Sequence, residues 1–217
     1  MPARESLKEK IYRELFEAIL LNKMPPDEII TEKQLIEQFG VSKSPVREAL
    51  IELCNEGILR SIPRYGYEVI RLTDRDVYEI QEYRAVLECG MLDKHWDSIT
   101  PEYIETLLQM WTENKEKGSQ QDALEHWNRN TKFHLKVFSF FNNKYLYNNL
   151  EQALRVLTRA YAQFFWDRWH RTVFTSNADH HKMIIDCMRE GNKALALQYL
   201  REDVANFQEE AKGAVAK

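Results

Sequence analysis

Long stretches of this chain run without a helix breaker, and that constrains its fold more than any other feature. Seven glycines and six prolines are few for 217 residues, and they cluster. Between the clusters, apolar residues recur at spacings of three and four, the period of one helix face. Such a chain is expected to be mostly α-helical. Its length admits one large domain or two modest ones. With 44% hydrophobic and 29% charged residues it has the composition of an ordinary soluble protein. No run approaches the roughly 18 apolar residues of a membrane span. The first residues lead straight into a charged amphipathic stretch, which is not a secretory signal, so the sequence reads as cytoplasmic. Cys54, Cys89 and Cys187 are far apart and form no Cys-x-x-Cys pair. They read as small core residues in a reducing compartment.

The N-terminal third is more punctuated. Residues 5–22 read as a helix on Leu7, Ile11, Leu15, Ala18 and Ile19, stopped by Asn22 and the Pro25-Pro26-Asp27 cluster. Thr31-Glu32-Lys33-Gln34 is a capping box, a Thr side chain for one orphan amide and a Gln three residues on to reciprocate. It opens a short helix burying Leu35, Ile36 and Phe39, which Gly40 ends in the left-handed conformation. Ser42 or Ser44 caps a third helix, with Pro45 tolerated in its first turn and Val46, Ala49, Leu50 and Leu53 as its stripe. Asn55-Glu56-Gly57 ends it. Two strand-like runs follow, Ile58-Leu59 to Ile62 and Tyr67 to Ile70, around the basic, aromatic tip Pro63-Arg64-Tyr65-Gly66.

Helix, short helix, tight turn, helix and hairpin is the order of a winged helix-turn-helix. Such a unit enters the major groove by the N-terminal end of its third helix. Here that end carries Lys43, Ser44 and Arg47, pointing away from the apolar stripe. Arg47 suits a guanine edge, and Ser44 a phosphate or a base. Lys33, and Arg64 at the wing tip, would add backbone or minor-groove contacts. Charge argues the other way. The net charge is −4, and residues 1–73 hold 11 Lys and Arg against 12 Asp and Glu. A DNA-binding head usually carries a basic footprint. The acids Glu37, Glu52 and Glu56 lie farther along their helices, which softens the objection without removing it.

The run Thr31-Glu32-Lys33-Gln34-Leu35, then Gly40-Val41-Ser42-Lys43-Ser44-Pro45-Val46-Arg47-Glu48-Ala49-Leu50, then Leu53, Glu56-Gly57-Ile58 and Gly66-Tyr67, resembles the GntR family of bacterial repressors. The match spans roughly residues 8–70. It implies double-stranded DNA as the partner and places Gly66 with Lys33, Lys43, Ser44, Arg47 and Arg64 on the DNA-binding face. Where that family often has Arg, this chain has Lys43, which keeps the charge and loses the planar fork.

Thr73-Asp74-Arg75-Asp76 caps a new helix and marks a boundary between a domain of residues 1–73 and one of residues 74–217. Helices are expected near 75–97, 101–117, 120–141, 144–168, 174–190 and 193–211, with breaks at Thr100-Pro101, Lys117-Gly118, Asn142-Asn143 and Gly191-Asn192. No strand pattern or internal repeat appears. An antiparallel all-α bundle of about six helices is the economical architecture. Aromatic residues are dense between Trp127 and Trp169, including Phe133, Phe138, Tyr161, Phe165 and Trp166, and read mostly as core.

This region resembles the all-helical ligand-binding (FCD-type) domain of the FadR-like branch of the same family. The resemblance is carried by Glu82-Tyr83-Arg84 with Leu87-Glu88, Phe133-His134-Leu135, Asn143 with Leu146, His180-His181, Gly191-Asn192 and Ala196. It implies effector binding and dimerisation. In many members of that branch an Asp and three His bind a divalent metal at the positions of Asn130, His134, His181 and Asp203. This chain departs at two of the four, exchanging Asp for Asn130 and the last His for Asp203. The exchange moves a carboxylate from one corner to another and leaves ligand charge unchanged. Asn130 and His134 are one helical turn apart on one face. His134, His181 and Asp203 still make a two-His, one-carboxylate set suited to Zn, Ni, Mn or Fe(II). Without metal, the same pocket would hold an organic acid directly. Arg84, Arg155 and Arg159 are then the candidate carboxylate clamps, with Arg84 first.

The leading expectation is a homodimeric, effector-responsive transcription factor, a repressor on a palindromic operator. Two others stand beside it. An enzyme is conceivable around a metal with open positions, but no nucleophile has a partner at a recognisable spacing and no Gly-rich phosphate loop is present. An adaptor using its winged helix for protein contacts fits the weak basic charge, and it would leave Lys43 and Arg47 dispensable.

Overall fold

The computed structural model describes residues 5–116, 123–165 and 180–215. Of the aromatic residues singled out, Trp166, Trp169 and the side chain of Phe165 lie outside these, as do the break at Lys117-Gly118 and residues 174–179 of the expected fifth bundle helix.

The chain divides into two compact units. One holds the residues up to Thr73 together with the end of a later helix from Arg159, and the other holds most of the rest. In the first unit α1 (Leu7–Leu20) is opened by Ser6 and Glu9 in a capping box, and Asn22 leaves it in a left-handed conformation. Next come β1 (Ile29–Ile30), α2 (Glu32–Phe39), α3 (Lys43–Asn55), β2 (Leu59–Ile62) and β3 (Gly66–Val69). The Thr31/Gln34 capping box forms as expected, and Gly40 takes φ 63° at the end of α2. Ser42 is the N-cap of α3, but its side chain makes no capping bond, and Ser44 donates instead to Glu48. The core joins Ile11, Leu15 and Leu35 to Val46, Leu50, Leu53 and Val69.

The sheet has three strands where the sequence suggested two. Its order is β1-β3-β2, all antiparallel, with Ile30 opposite Tyr67 and Ile62 opposite Gly66. A two-residue strand carries too little alternation to register as a pattern. It leaves its mark on Gly66, which has φ 138° and where a Cβ would stand 2.4 Å from the Ile30 carbonyl oxygen. Glycine is required there by the approach of β1.

The second unit is built from α4 (Asp74–His95), a 3₁₀ turn (Trp96–Ser98), α5 (Pro101–Glu116), α6 (Ala123–Ser139), α7 (Lys144–Phe165) up to Thr158, α8 (His180–Glu190) and α9 (Lys193–Val215). These are the six helices of the expected bundle. Its core sets Leu92 of α4 and Leu107 of α5 against Phe133 and Phe138 of α6, Leu150 and Leu154 of α7, Ile184 of α8 and Leu200 of α9. Each such side chain contributes about 1.5–3 kcal/mol by leaving water. Two residues, Gly191 at φ 72° and Asn192, turn α8 into α9, and those helices pack on each other and α9 on α4. None of the described helices is long and apolar enough to cross a membrane.

Candidate functional site

The buried stripe of α4 reads Val77, Gln81, Arg84, Glu88, Leu92, at the spacings of a helix face. Its ends are apolar and its middle is polar. Burying an ion pair costs several kcal/mol per ion unless each charge is well met, and here the charges are met in a chain. Arg84 Nε donates to Glu88 Oε1 at 2.6 Å, and Glu88 Oε2 stands 2.6 Å from Nδ1 of His134 on α6. His134 Nε2 lies 2.9 Å from Asp203 Oδ2 on α9. His181 on α8 brings its Nε2 to 3.5 Å from Asp203 Oδ1. The His181 ring is held flat against Phe133, with centroids 3.8 Å apart. Its neighbour His180 reaches Asp203 only at 3.9 Å.

The electrostatics follow from these neighbours. Burial works to push the Asp203 carboxyl up, but His181 and His134 prevail and hold it well below the usual carboxylate range. Burial likewise opposes ionisation of Glu88, and Arg84 and His134 overcome it, so its pKa is lowered. For His134 burial favours the neutral ring, yet the Glu88 and Asp203 carboxylates prevail and raise its pKa.

One donor atom each from His134, His181 and Asp203 falls within 4.8 Å of the others. Two polar atoms of the same neighbourhood, Asn130 Oδ1 and Arg84 Nη2, are buried without a hydrogen-bond partner among the described residues, while His134 Nε2 and His181 Nε2 have only the Asp203 carboxylate to face. Buried polar groups normally find partners. Two imidazole nitrogens and a carboxylate converge, with a buried amide oxygen one helical turn before His134, in a donor set that fits a divalent metal. Arg84 lies at the far end of the same chain of contacts.

The other two arginines are elsewhere. Arg155 is exposed and faces Glu151 at 3.8 Å. Arg159 is buried and donates to the Gly57 carbonyl at 2.9 Å within the first unit. In the sequence Glu88 stands out only as part of the family string. Its signal was legible all the same, a carboxylate four residues after Arg84 on the stripe that Val77 and Leu92 bury.

In the first unit Lys43, Ser44 and Arg47 share the exposed face of α3, opposite buried Val46, Ala49, Leu50 and Leu53. Lys33 is exposed on α2, 3.9 Å from Glu37. Arg64 is exposed at the tip of the β2–β3 turn with φ 71°. Missed in the sequence was the place of Glu32, whose carboxylate lies 3.0 Å from Lys43 Nζ and 3.9 Å from Arg47 Nε.

The likeness to known proteins covers both units. Residues 7–69 match the model for bacterial regulatory proteins of the gntR family, and residues 79–206 match the FCD domain. The transcriptional regulator YdhC of Bacillus subtilis strain 168 is 30% identical over 88% of this chain and 84% of its own. The gluconate operon transcriptional repressor of Bacillus licheniformis is 26% identical over 95% of this chain and 85% of its own. Among solved structures, E. coli McbR/YncC superposes with a TM-score of 0.73 at 20% identity, covering 96% of this chain and 98% of that one. A GntR transcriptional regulator from Rhodococcus sp. RHA1 does so at 0.70 and 20%, covering 95% and 98%. These two likenesses are of fold. Two family models in series and a relative matched over 84% of its length go further: the chain belongs to the GntR family of DNA-binding transcriptional regulators, with a winged helix-turn-helix head and an FCD domain, and is not an enzyme.

Proposed function

We propose that this regulator is a cytoplasmic homodimeric repressor that binds a palindromic operator and responds to a small organic acid, taken up with a divalent cation by the polar cluster of its helical unit. The observation that carries the ligand part is the convergence of donors from α6, α8 and α9 within 4.8 Å, with the buried, unpartnered Asn130 Oδ1 one turn before His134. His134, His181 and Asp203 would hold the cation, with Asn130 Oδ1 as a weak neutral fourth donor. A bound Zn, Ni or Mn ion would supply positive charge and open positions for effector oxygens. Glu88 holds the His134 ring in one orientation. Arg84 offers Nη2 to a carboxylate.

In the head, Lys43, Ser44 and Arg47 would enter the major groove, with Lys33, Arg64 and the Gly66 backbone on the flanking strand. Two heads would read the two halves of the operator. An effector preferring one arrangement of the heads would shift DNA affinity by a coupling of about 1–3 kcal/mol.

The test is elemental analysis of protein purified natively without chelators, for wild type and His134→Ala. Near-stoichiometric metal in the wild type, absent from the variant, supports the site. No metal even after soaking with Zn or Ni would overturn it. Direct binding of an organic acid by Arg84 would then be the surviving reading, because the free Nη2 supports that reading on its own.

A further inference from the structure

Glu32 is the first residue of α2, directly after the N-cap Thr31. Its side chain is folded inward, 24% exposed, while those of Lys43 and Arg47 are 64% and 61% exposed. Three groups from two other elements converge on it. Lys43 Nζ lies 3.0 Å from Oε2, Arg47 Nε lies 3.9 Å from Oε1, and the Tyr67 hydroxyl of β3 donates to Oε1 at 3.2 Å. The bonded Lys43 ammonium holds the Glu32 carboxyl below the usual carboxylate range, with Tyr67 and Arg47 adding to it. An ionised carboxylate therefore sits directly behind the two cations at the N-terminal end of α3. On a face meant for a polyanion this is costly, unless the cost falls unequally on different DNA sequences.

We infer that Glu32 is a specificity-determining residue of the DNA-reading face, an internal anion that Arg47 leaves only for a duplex offering more than phosphate. The inference rests on the assignment of α3 as the reading helix. Non-specific binding is almost wholly the neutralisation of phosphates by cations. A phosphate drawn to Lys43 or Arg47 must approach Glu32 as well, so it replaces one anion with another and meets repulsion. A guanine edge is neutral. It can take the Arg47 fork through O6 and N7 while Glu32 keeps Lys43 and Tyr67. A cytosine amino group can even donate to the carboxylate. Glu32 thus penalises the sequence-independent mode more than the sequence-reading mode, and discrimination is a difference of affinities.

The test uses the full-length protein, a duplex enriched by the wild type from a random-sequence pool, and a scrambled duplex of the same length and composition. Glu32→Gln is close in shape and keeps an oxygen for the Tyr67 hydroxyl. It is expected to bind the scrambled duplex about tenfold more tightly. Its plot of log affinity against log salt should steepen by about one unit. The selected duplex should gain much less, so the ratio of the two affinities falls. Glu32→Asp, which restores the charge, should recover most of the ratio. An unchanged ratio in Glu32→Gln overturns the inference. So does an equal loss on both duplexes with a lowered Tm, which marks a purely structural role, or Glu32→Asp behaving like Glu32→Gln. Arg47→Ala separates the two levels. If it binds both duplexes as the wild type does, the assignment of α3 falls and the inference with it. If it loses the selected duplex while Glu32→Gln keeps its ratio, only the inference falls.

Discussion

The Glu88 carboxylate stands 2.6 Å from Nδ1 of His134, two buried side chains 46 positions apart in the chain. That contact decides which nitrogen of the imidazole is turned to the rest of the site. With Nδ1 engaged by Glu88, the ring presents Nε2 to Asp203 and, through it, to His181. A carboxylate behind a histidine in this way fixes the ring and makes its outward nitrogen a better donor.

Replacing that carboxylate separates stability from metal affinity. Glu88→Gln can still accept from Nδ1, but it leaves the Arg84 guanidinium buried without its anion. Removing one partner of a buried pair costs about 3–5 kcal/mol. Denaturant unfolding in the presence of chelator should show a loss of that order. Competition titration of Zn on the folded variant should show affinity about 10- to 100-fold weaker. Wild-type metal affinity in this variant would mean that Glu88 neither orients nor polarises His134.

Asn130 tests the exchanged corner. Its Oδ1 is buried without a partner one turn before His134. Asn130→Asp puts a charge there at almost no change in volume. Without metal that buried carboxylate has no bound cation to meet it, and the variant should unfold at lower denaturant than the wild type. With metal the extra carboxylate is neutralised, and Ni or Zn should bind more tightly. Opposite movement of the two quantities is the expected signature. If both fall together, Asn130 does not face the donor set.

What the sequence made legible, and what it hid, divides along local and non-local lines. The α2 capping box, the Gly40 stop and the apolar stripe of α3 are decided by residues within four positions of each other, and all appear as read. So do the six helices after Thr73, because few breakers interrupt them. β1 was hidden because two residues carry no period. The role of Gly66 was hidden because its reason lies across the sheet at Ile30. Glu88 and Glu32 are hard to read in the sequence for the same cause. An acid on a helix is ordinary, and only the partner brought by another element makes it a site. Arg84, Arg155 and Arg159 look alike in sequence, yet folding sends one to the donor cluster, one to solvent and one to the Gly57 carbonyl.

Gly66→Ala should act on the head alone. A methyl group at Cβ would meet the Ile30 carbonyl oxygen at 2.4 Å, at a backbone angle that alanine rarely adopts. Strain of this kind costs about 1–3 kcal/mol before the clash is counted. Either β1 detaches or the β2–β3 turn shifts. Duplex affinity should drop sharply, while metal content per chain stays at the wild-type level. Undiminished DNA binding would show that the β1–β3 approach is not needed to hold the wing.

The pH response of the donor cluster should flatten when metal is bound. In metal-free protein the Glu88 and Asp203 carboxylates raise the pKa of His134 against the effect of burial. A raised imidazole contributes stability that is complete below its ordinary value of 6.5 and is lost as pH climbs through the raised one. Glu88 and Asp203, lowered, contribute stability above the ordinary carboxylate range and lose it only in acid. Above the ordinary imidazole value of 6.5 the histidine dominates, so the Tm of chelator-treated protein should fall with rising pH. Glu88→Gln should flatten that fall. A divalent cation needs Nε2 of His134 unprotonated, and its binding releases the proton held there. The rise in Tm on adding saturating Zn should therefore grow over the same interval in which the metal-free Tm declines. Thermal melts at matched ionic strength across that interval, with and without Zn, check both slopes. A Zn increment that does not vary with pH would mean the cation binds without displacing a proton from His134, and that another set of donors holds it.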